Sequence, residues 1–390
     1  MTTGTLHTYH KDLLLFEHLP ANNSSTPPPP PKHIILFIGG LYDKFLLPHY
    51  TSDLSSLFPL HSTQSWRLIH IQLSSHGRAW GIQSIDRDVE ELALGITYIR
   101  TKLFPSSSAS TSTGTNTELD IVLMGHSTGC QDIMHYLTAP NPTNERASKR
   151  PIVQGAILQA PVSDRDAALN AIEQGPEVKK AYEAAMAFIQ DVPETDHRDV
   201  LLPMTMTKPL FGPTPVSVSR FLSLISPGSP DHPSIEDFFS SDLTDARLRT
   251  TFGTIGKNKL LHRSTGESAR ETQSLLILMS DSDEFAGSKV NQRQLLERWK
   301  TAMREESGAV IHGDSAVILN AMHDVGGDDW PSQEARLVVL RRKVLHYLKF
   351  VVGDVDGRAD EIWHRDGDRV MKMKIGDGRS IEDQKGVLKL

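Results

Sequence analysis

The pentapeptide Gly125-His126-Ser127-Thr128-Gly129 constrains the fold more than any other feature of the sequence, because of what surrounds it. Six mostly apolar residues at 119–124 (LDIVLM) precede it and are typical of a buried strand, whereas residues 131–137 have the pattern of a helix. A serine in a sharp turn between a strand and a helix needs glycines on both sides, because larger side chains would block the close approach of the backbone. The motif therefore predicts that Ser127 lies exposed at the carboxyl end of a sheet, at a helix N-terminus that favours developing negative charge.

Strand and helix patterns alternate along most of the chain, which is typical of a parallel sheet with right-handed helical crossovers. Several predicted strands are continuously apolar, as expected for strands that are buried on both faces. Together with the serine motif, this predicts an α/β-hydrolase fold, with a mostly parallel sheet flanked by helices and an inserted cap. The predicted strands are 13–19, 33–38, 66–73, 119–124, 153–158, 274–279 and 316–319, and the predicted helices are 82–103, 131–137, 290–303 and 333–350.

A long stretch interrupts this alternation between the fifth and sixth predicted strands. It opens with a helical pattern that breaks at Gly175-Pro176, and it then becomes rich in proline. We therefore predict an α/β-hydrolase core at 1–163 and 273–350, a cap or lid inserted at 164–272, and a C-terminal extension at 351–390.

A serine nucleophile requires an imidazole that takes its proton and a carboxylate that orients the imidazole. In this fold the acid follows a late strand, and the strand at 274–279 runs directly into Ser280-Asp281-Ser282-Asp283-Glu284. Asp283 fits the common spacing of a small residue, two further residues and an acid, so it is the predicted triad acid. Asp281 remains the alternative, and Asp281 and Glu284 are otherwise typical of a solvated turn.

The predicted base follows the last strand, because the order along the chain in this fold is serine, acid, histidine. Of the downstream histidines, His312, His323, His346 and His364, only His323 lies between the last short strand and the closing helix. A loop at that point can bring its imidazole over the nucleophile. His126 is adjacent to the nucleophile in sequence, but its side chain is expected to point away, which leaves it a packing role.

Two backbone N–H groups must stabilise the oxyanion of the tetrahedral intermediate. Thr128 follows the nucleophile and is one predicted donor; Leu41, in the turn Gly39-Gly40-Leu41 after the strand at 33–38, is the other. This turn matches neither a dinucleotide loop nor a phosphate loop, and the segment 353–361 has the wrong spacing for a calcium loop. The sequence thus predicts no cofactor and no metal.

Composition limits the partners and the compartment. The formal net charge is -7 and no Lys/Arg-rich run occurs, which argues against a nucleic acid partner. The only cysteine, Cys130, excludes an intramolecular disulfide and is expected to be a small buried residue. The N-terminal residues lack the pattern of a signal peptide, and no apolar run is long enough for a membrane span. We therefore expect a cytoplasmic protein without a membrane partner.

Several longer motifs identify a more specific relationship. They are FIGGL (37–41), GHSTGCQD (125–132), QAPVSDRDA (159–167), RFLSL (220–224), FFSSDL (238–243) and SDEF (282–285). From about residue 6 to residue 350, the chain resembles a fungal α/β-hydrolase family that includes the siderophore esterase acting on fusarinine C. The family usually has a glycine-containing turn after GGL, and Tyr42-Asp43-Lys44-Phe45 replaces it here.

The resemblance implies hydrolysis of the ester bonds of fusarinine-type hydroxamate siderophores inside the cell, so that iron is released. It also implies that Ser127, Asp283 and His323 form the triad and that the partner is a small-molecule ester, a ferri-siderophore among the candidates. Two alternatives stay open at the level of sequence. One is a general carboxylesterase, lipase or thioesterase, and the other is a hydrolase fold that binds a ligand without catalysis.

Overall fold

A computed structural model describes residues 2–19, 30–58, 66–105, 119–141, 149–261, 274–287, 289–306, 308–326 and 330–352. The predicted C-terminal extension lies outside these residues except for Val351 and Val352, which end the last helix.

The described residues form one nine-stranded sheet, in the order β1-β2-β4-β3-β5-β6-β7-β8, with β9 paired to β7. β2 is antiparallel to both of its neighbours, and all other pairs are parallel, as the sequence predicts. The strands are β1 (Thr3–His10), β2 (Leu13–Leu19), β3 (His33–Ile38), β4 (Trp66–Ile71), β5 (Asp120–His126), β6 (Gly155–Gln159), β7 (Ser274–Ser280), β8 (Val310–Ile311) and β9 (Ala316–Ile318).

Two layers of helices cover the sheet because its central strands are apolar on both faces. In β3, for example, Ile34 and Leu36 point into one hydrophobic cluster, whereas Ile35 and Phe37 point into the other. The first cluster includes residues of α2 (Ile85–Tyr98), α3 (Gly129–Thr138) and α9 (Gln292–Glu306). The second includes residues of α1 (Tyr50–Leu57) and α10 (Trp330–Val352). A π-helical turn, Ile99–Leu103, continues α2.

Between β6 and residue 261, where the described part of this segment ends, the chain forms helices and adds no strand to the central sheet. These helices are α4 (Asp164–Gln174), α5 (Pro176–Gln190), α6 (Met204–Phe211), α7 (Val218–Ile225) and α8 (Asp245–Thr251). The predicted break at Gly175-Pro176 separates α4 from α5, and Pro176 occupies the first turn of α5, where its missing N–H costs nothing. A third hydrophobic cluster contains residues from α4, α5 and α7. The later part of this region, including Phe239 and Phe252, joins the first cluster instead.

Trp80 connects the sheet to this third cluster. It lies in the connection between β4 and α2, is 1% exposed, and packs edge-on against Phe211 of α6 with ring centroids 5.3 Å apart. The next residue, Gly81, accepts a backbone hydrogen bond from Ser217 at 2.8 Å. Gly81 has no room for a side chain, since a Cβ there would lie 2.0 Å from the carbonyl oxygen of Pro215. Among the described helices, none combines the length and the apolar character that a membrane crossing requires.

Candidate active site

Ser127 lies in the turn between the last residue of β5, His126, and the first residue of α3, Gly129. Its φ of +55° is in the left-handed region that side chains rarely adopt. Its N–H donates to the carbonyl of Gln159 at 3.1 Å, which fixes the turn to the end of β6. A Cβ on Gly125 would lie 2.4 Å from the carbonyl oxygen of Gly129, so the motif needs glycine there for the reason that the sequence predicts.

The structure brings two of the predicted site residues into direct contact. His323 follows β9, and its Nδ1 donates to Oδ2 of Asp283 at 2.8 Å, with both side chains buried. The second oxygen of Asp283, Oδ1, accepts the N–H of Phe285 at 3.0 Å. Because Nδ1 carries the proton of neutral His323 in this arrangement, Nε2 keeps its lone pair for a second proton. Asp281, the alternative acid, is exposed, and its backbone N–H pairs with Ile318 of β9.

Contacts from the acidic turn hold the His323 loop in place. Oε2 of Glu284 accepts the backbone N–H of His323 at 2.9 Å, and the ring of Phe285 packs edge-on against the imidazole with centroids 4.8 Å apart. The N–H of Ser282 donates to the carbonyl of Ala321 at 2.9 Å. No role was predicted for Glu284, because nothing in the local sequence indicates that its side chain reaches a loop 39 residues away.

Gln159 joins the nucleophile turn to the His323 loop. Its backbone carbonyl accepts from Ser127, and its side-chain Nε2 donates to the carbonyl of His323 at 3.2 Å. Its Oε1 accepts from His126 Nδ1 at 2.5 Å and from the hydroxyl of Tyr50 at 2.8 Å. No role was predicted for Gln159. The signal that could have indicated it is the position of Gln159 at the start of the motif QAPVSDRDA and at the end of an apolar strand, where a buried amide needs hydrogen-bond partners.

His126 has a packing position next to the predicted base. Its ring centroid is 4.7 Å from that of His323, and its burial lowers its pKa to about 4, so the ring is neutral at pH 7. Among the hydrogen bonds of the described residues, none joins the hydroxyl of Ser127 to His323. Bonds of this kind are often long in sites without substrate and shorten when substrate binds.

The turn Gly39-Gly40-Leu41 lies directly against the nucleophile. A Cβ placed on Gly40 would be 2.8 Å from Cβ of Ser127 and 3.2 Å from its hydroxyl oxygen, so only glycine fits at this point. The N–H groups of Leu41 and Thr128 have no backbone acceptor within the described part of the chain. Thr128 directly follows Ser127, and Leu41 directly follows the glycine that lies against Ser127, so both stay predicted oxyanion donors.

Behind this turn is a small cavity of about 10 Å³ with buried charged walls. Arg220 of α7 forms an ion pair there with Glu236, and Asp88 and Asp132 also line the cavity. Burial raises the pKa of Asp88 to about 7 and raises that of Asp132 well above its usual range, because it removes water from both carboxylates and other acids lie nearby. The motif RFLSL thus contributes Arg220 to a buried group of charged side chains beside the turn Gly39-Gly40-Leu41, which is called the oxyanion turn below after its predicted role.

A second set of contacts joins the region after β6 to α3, the helix that follows Ser127, and also joins parts of that region to each other. Gln131 of α3 donates from Nε2 to Asp164 at 2.6 Å, and the hydroxyls of Ser163 and Ser240 lie 2.7 Å apart. These residues belong to three of the motifs that carry the family resemblance. Cys130 of α3 is fully buried, and its thiol donates to the carbonyls of Gly125 and Gln159, both at 3.3 Å. Its burial raises the pKa of the thiol, so Cys130 is a packing residue and no nucleophile.

The fold and this site together define an α/β-hydrolase. The class is characterised by a serine in a strained turn after a central parallel strand, with an acid and a histidine that follow later strands.

The comparisons with known proteins give the relationship within this class. Over residues 1–349 the chain matches the family described as a protein of unknown function, DUF1749. It is 35% identical over 369 residues to the fusarinine C esterase sidJ of Aspergillus fumigatus, which covers 90% of this chain and 96% of that protein. It is 35% identical over 378 residues to an esterase of Emericella nidulans, which covers 90% and 94%.

A solved structure agrees with these sequence relatives. The siderophore hydrolase EstB from Aspergillus fumigatus has a TM-score of 0.72 and 34% sequence identity to this chain, covering 90% of this chain and 98% of the other. The chain therefore belongs to the DUF1749 family. The predicted resemblance and the predicted fold class are both confirmed.

Proposed function

We propose that the protein is a serine esterase in which Ser127, His323 and Asp283 act as nucleophile, base and acid. The hydrogen bond between His323 and Asp283 is the observation that carries this proposal, because it leaves Nε2 of the imidazole able to accept the proton of Ser127. As the hydroxyl attacks the ester carbonyl, the proton moves to Nε2 and the carbonyl oxygen becomes an oxyanion. The N–H groups of Leu41 and Thr128 stabilise this oxyanion, each by about 3 kcal/mol.

The acyl-enzyme intermediate is then formed and hydrolysed by the same groups. The protonated His323 donates its proton to the departing alkoxide, which leaves as an alcohol and leaves the acyl group on Ser127. His323 next accepts a proton from water, which attacks the acyl carbon. Collapse of the second intermediate returns the proton to the oxygen of Ser127 and releases the carboxylic acid.

The substrate class that we propose is the fusarinine-type hydroxamate siderophore, as free ligand or as ferri-siderophore. Two relatives that align with about 90% of this chain have siderophore substrates in their names, and both are about one-third identical to it. Residues 164–272 would form the cap over the site, since α4 to α7 and their third cluster lie next to the oxyanion turn. We place the reaction in the cytoplasm, where opening of the macrocycle would release iron.

Mass spectrometry of fusarinine C incubated with the protein tests this function. The wild type should convert the macrocycle, with or without iron, into linear products that have gained one water for each ester hydrolysed, and Ser127→Ala should leave it intact. A macrocycle that stays unchanged beside rapid turnover of p-nitrophenyl butyrate would identify a general carboxylesterase. Absence of any labelling by a fluorophosphonate probe would contradict the serine hydrolase itself.

A further inference from the structure

Asp43 makes two reciprocal hydrogen bonds with the oxyanion turn. Its Oδ2 accepts the N–H of Gly40 at 2.7 Å, and its own backbone N–H donates to the carbonyl of Gly40 at 3.1 Å. Both polar groups of Gly40 are therefore bound to a residue three positions later in the chain. The two bonds close a turn from Gly40 to Asp43. The segment Tyr42-Asp43-Lys44-Phe45, which follows Leu41, contains no glycine.

The side chain of Asp43 also fills the space that the two glycines leave open. A Cβ on Gly39 would lie 2.7 Å from Cβ of Asp43. A Cβ on Gly40 would lie 3.4 Å from Oδ2 of Asp43 and 3.2 Å from the hydroxyl oxygen of Ser127. The carboxylate and the hydroxyl of Ser127 thus lie close to the same glycine, which is joined by a peptide bond to the N–H of Leu41.

A carboxylate at this place needs a reason, because negative charge near a developing oxyanion opposes its formation. Its charge is partly compensated by the N–H of Gly40, which Oδ2 accepts at 2.7 Å. An oxyanion donor is effective only when it is fixed in direction before the reaction begins. Two adjacent glycines would give the turn many alternative conformations unless a side chain selected one of them.

We propose that Asp43 is a positioning residue for the oxyanion turn. Its carboxylate oxygen holds the amide of Gly40, and this fixes the following peptide so that the N–H of Leu41 is directed at the substrate oxygen on Ser127. The position of the acceptor atom, rather than its charge, is what the reaction requires. The inference rests on the proposed serine esterase, but it does not depend on the siderophore as substrate.

Two conservative variants separate position from charge. Asp43→Asn keeps an acceptor oxygen in place and removes the charge, whereas Asp43→Glu keeps the charge and displaces the oxygen by one methylene. With p-nitrophenyl butyrate, Asp43→Glu should lower kcat by roughly 10- to 100-fold, while KM stays within about twofold, because the affected interaction exists only in the transition state. Asp43→Asn should keep most of the wild-type kcat.

The matched control is Thr244→Ala, which removes a side-chain-to-backbone hydrogen bond to Arg247 at an exposed helix start. It should lower the melting temperature slightly and leave kcat unchanged. Wild-type kcat in Asp43→Glu, an equal fall in both Asp43 variants, or a rise in KM without a fall in kcat would each overturn the inference. If the wild type itself neither turns over esters nor reacts with a fluorophosphonate, the proposed function fails first.

Discussion

Both carboxylate oxygens of Asp283 form hydrogen bonds within the site. One carboxylate oxygen binds the imidazole of His323, and the other accepts a backbone N–H from its own turn, so the carboxylate cannot rotate freely. Glu284 and Gln159 bind the backbone of His323 on two sides, at its N–H and at its carbonyl. The imidazole is therefore fixed by its loop as well as by its acid, which is the condition for a base that must receive a proton in one direction.

Asp283→Asn should lower kcat by about 10⁴-fold, because an amide in place of the carboxylate favours the wrong tautomer of His323 and cannot stabilise its charged form. Asp281→Asn is the matched control, since Asp281 lies two residues away, is exposed, and contacts β9 through its backbone. Steady-state rates with p-nitrophenyl butyrate compare the two variants. A larger loss of activity in Asp281→Asn than in Asp283→Asn would show that we have assigned the wrong acid.

Site residues that are placed by neighbouring sequence could be predicted, whereas those placed by contacts with distant parts of the chain could not. The turn around Ser127 could be predicted because the glycines, the strand and the helix that define it are adjacent in sequence. The spacing after β7 favoured Asp283 but left Asp281 open, since the choice depends on how the β7 end pairs with residues 318–321. Gln159 and Glu284 were missed because their partners lie 164 and 39 residues away in the chain.

At the scale of elements, the neighbouring strands β2 and β4 each bury a histidine ring, His18 and His70. His18 of β2 packs 4.9 Å from the ring of His70 in β4, and His70 stacks on Phe37 of β3 at 4.8 Å. Neither ring nitrogen of His18 has a hydrogen-bond partner within the described residues. Burial lowers the pKa of His18 from 6.5 to about 4 and lowers that of His70 well below its usual range.

His18 should make the protein less stable in acid. Between pH 6.5 and about 4 the unfolded chain binds a proton at His18 that the folded chain does not, so the free energy of unfolding falls as the pH falls through this window. At one pKa unit per 1.4 kcal/mol, the loss is roughly 3 kcal/mol. His18→Phe keeps an aromatic ring and removes the titration, so urea unfolding at several pH values should show a flatter dependence in the variant.

Acids with raised pKa values have the opposite effect, which is why the variant must be compared with the wild type. Burial raises the pKa of Asp88 to about 7 and that of Asp164 to about 6, so the folded chain binds protons there that the unfolded chain does not, and the free energy of unfolding rises as the pH falls from those values to the usual value of 3.8. His49→Gln, which changes an exposed histidine, is the control for the loss of an imidazole as such. Equal pH dependence in His18→Phe and wild type would contradict the assignment.

The prediction of elements succeeded where periodicity was strong and failed where polar or proline residues concealed it. All seven predicted strands are present, because their apolar runs are buried on one or both faces. β1 was missed because it is an exposed edge strand, TGTLHTYH, with almost no apolar signal. In the region after β6, α6, α7 and α8 were missed, since the stretch was described only as rich in proline. Pro203 instead precedes the first turn of α6, where proline is compatible with a helix.

At the scale of the whole molecule, the helices α4 to α7 of the region after β6 meet the rest of the chain beside the site, whereas the later part of the region packs in the first cluster. The ion pair of Arg220 with Glu236 is buried next to the acids of α2 and α3, and Trp80, which lines the same cavity, packs in the third cluster. Trp80 also packs edge-on against Tyr42 at 5.8 Å, within the segment that follows the oxyanion turn. Movement of this region relative to the sheet would therefore alter the turn that carries Leu41.

Trp80→Ala should loosen this region before the sheet unfolds. The substitution should cost about 3–5 kcal/mol, and the loss should fall first on the contacts of α5, α6 and α7 because Trp80 is their main apolar contact with the β4–α2 connection. Native-state hydrogen exchange should then show that the substitution accelerates the exchange of amides in α5 to α7 more than that of amides in β5. Phe37→Ala, a cavity of similar kind in β3, is the control and should accelerate both regions together. Equal acceleration of β5 and α5 to α7 in Trp80→Ala would mean that the region and the sheet unfold as one unit, and that movement of the region alone cannot reach the site.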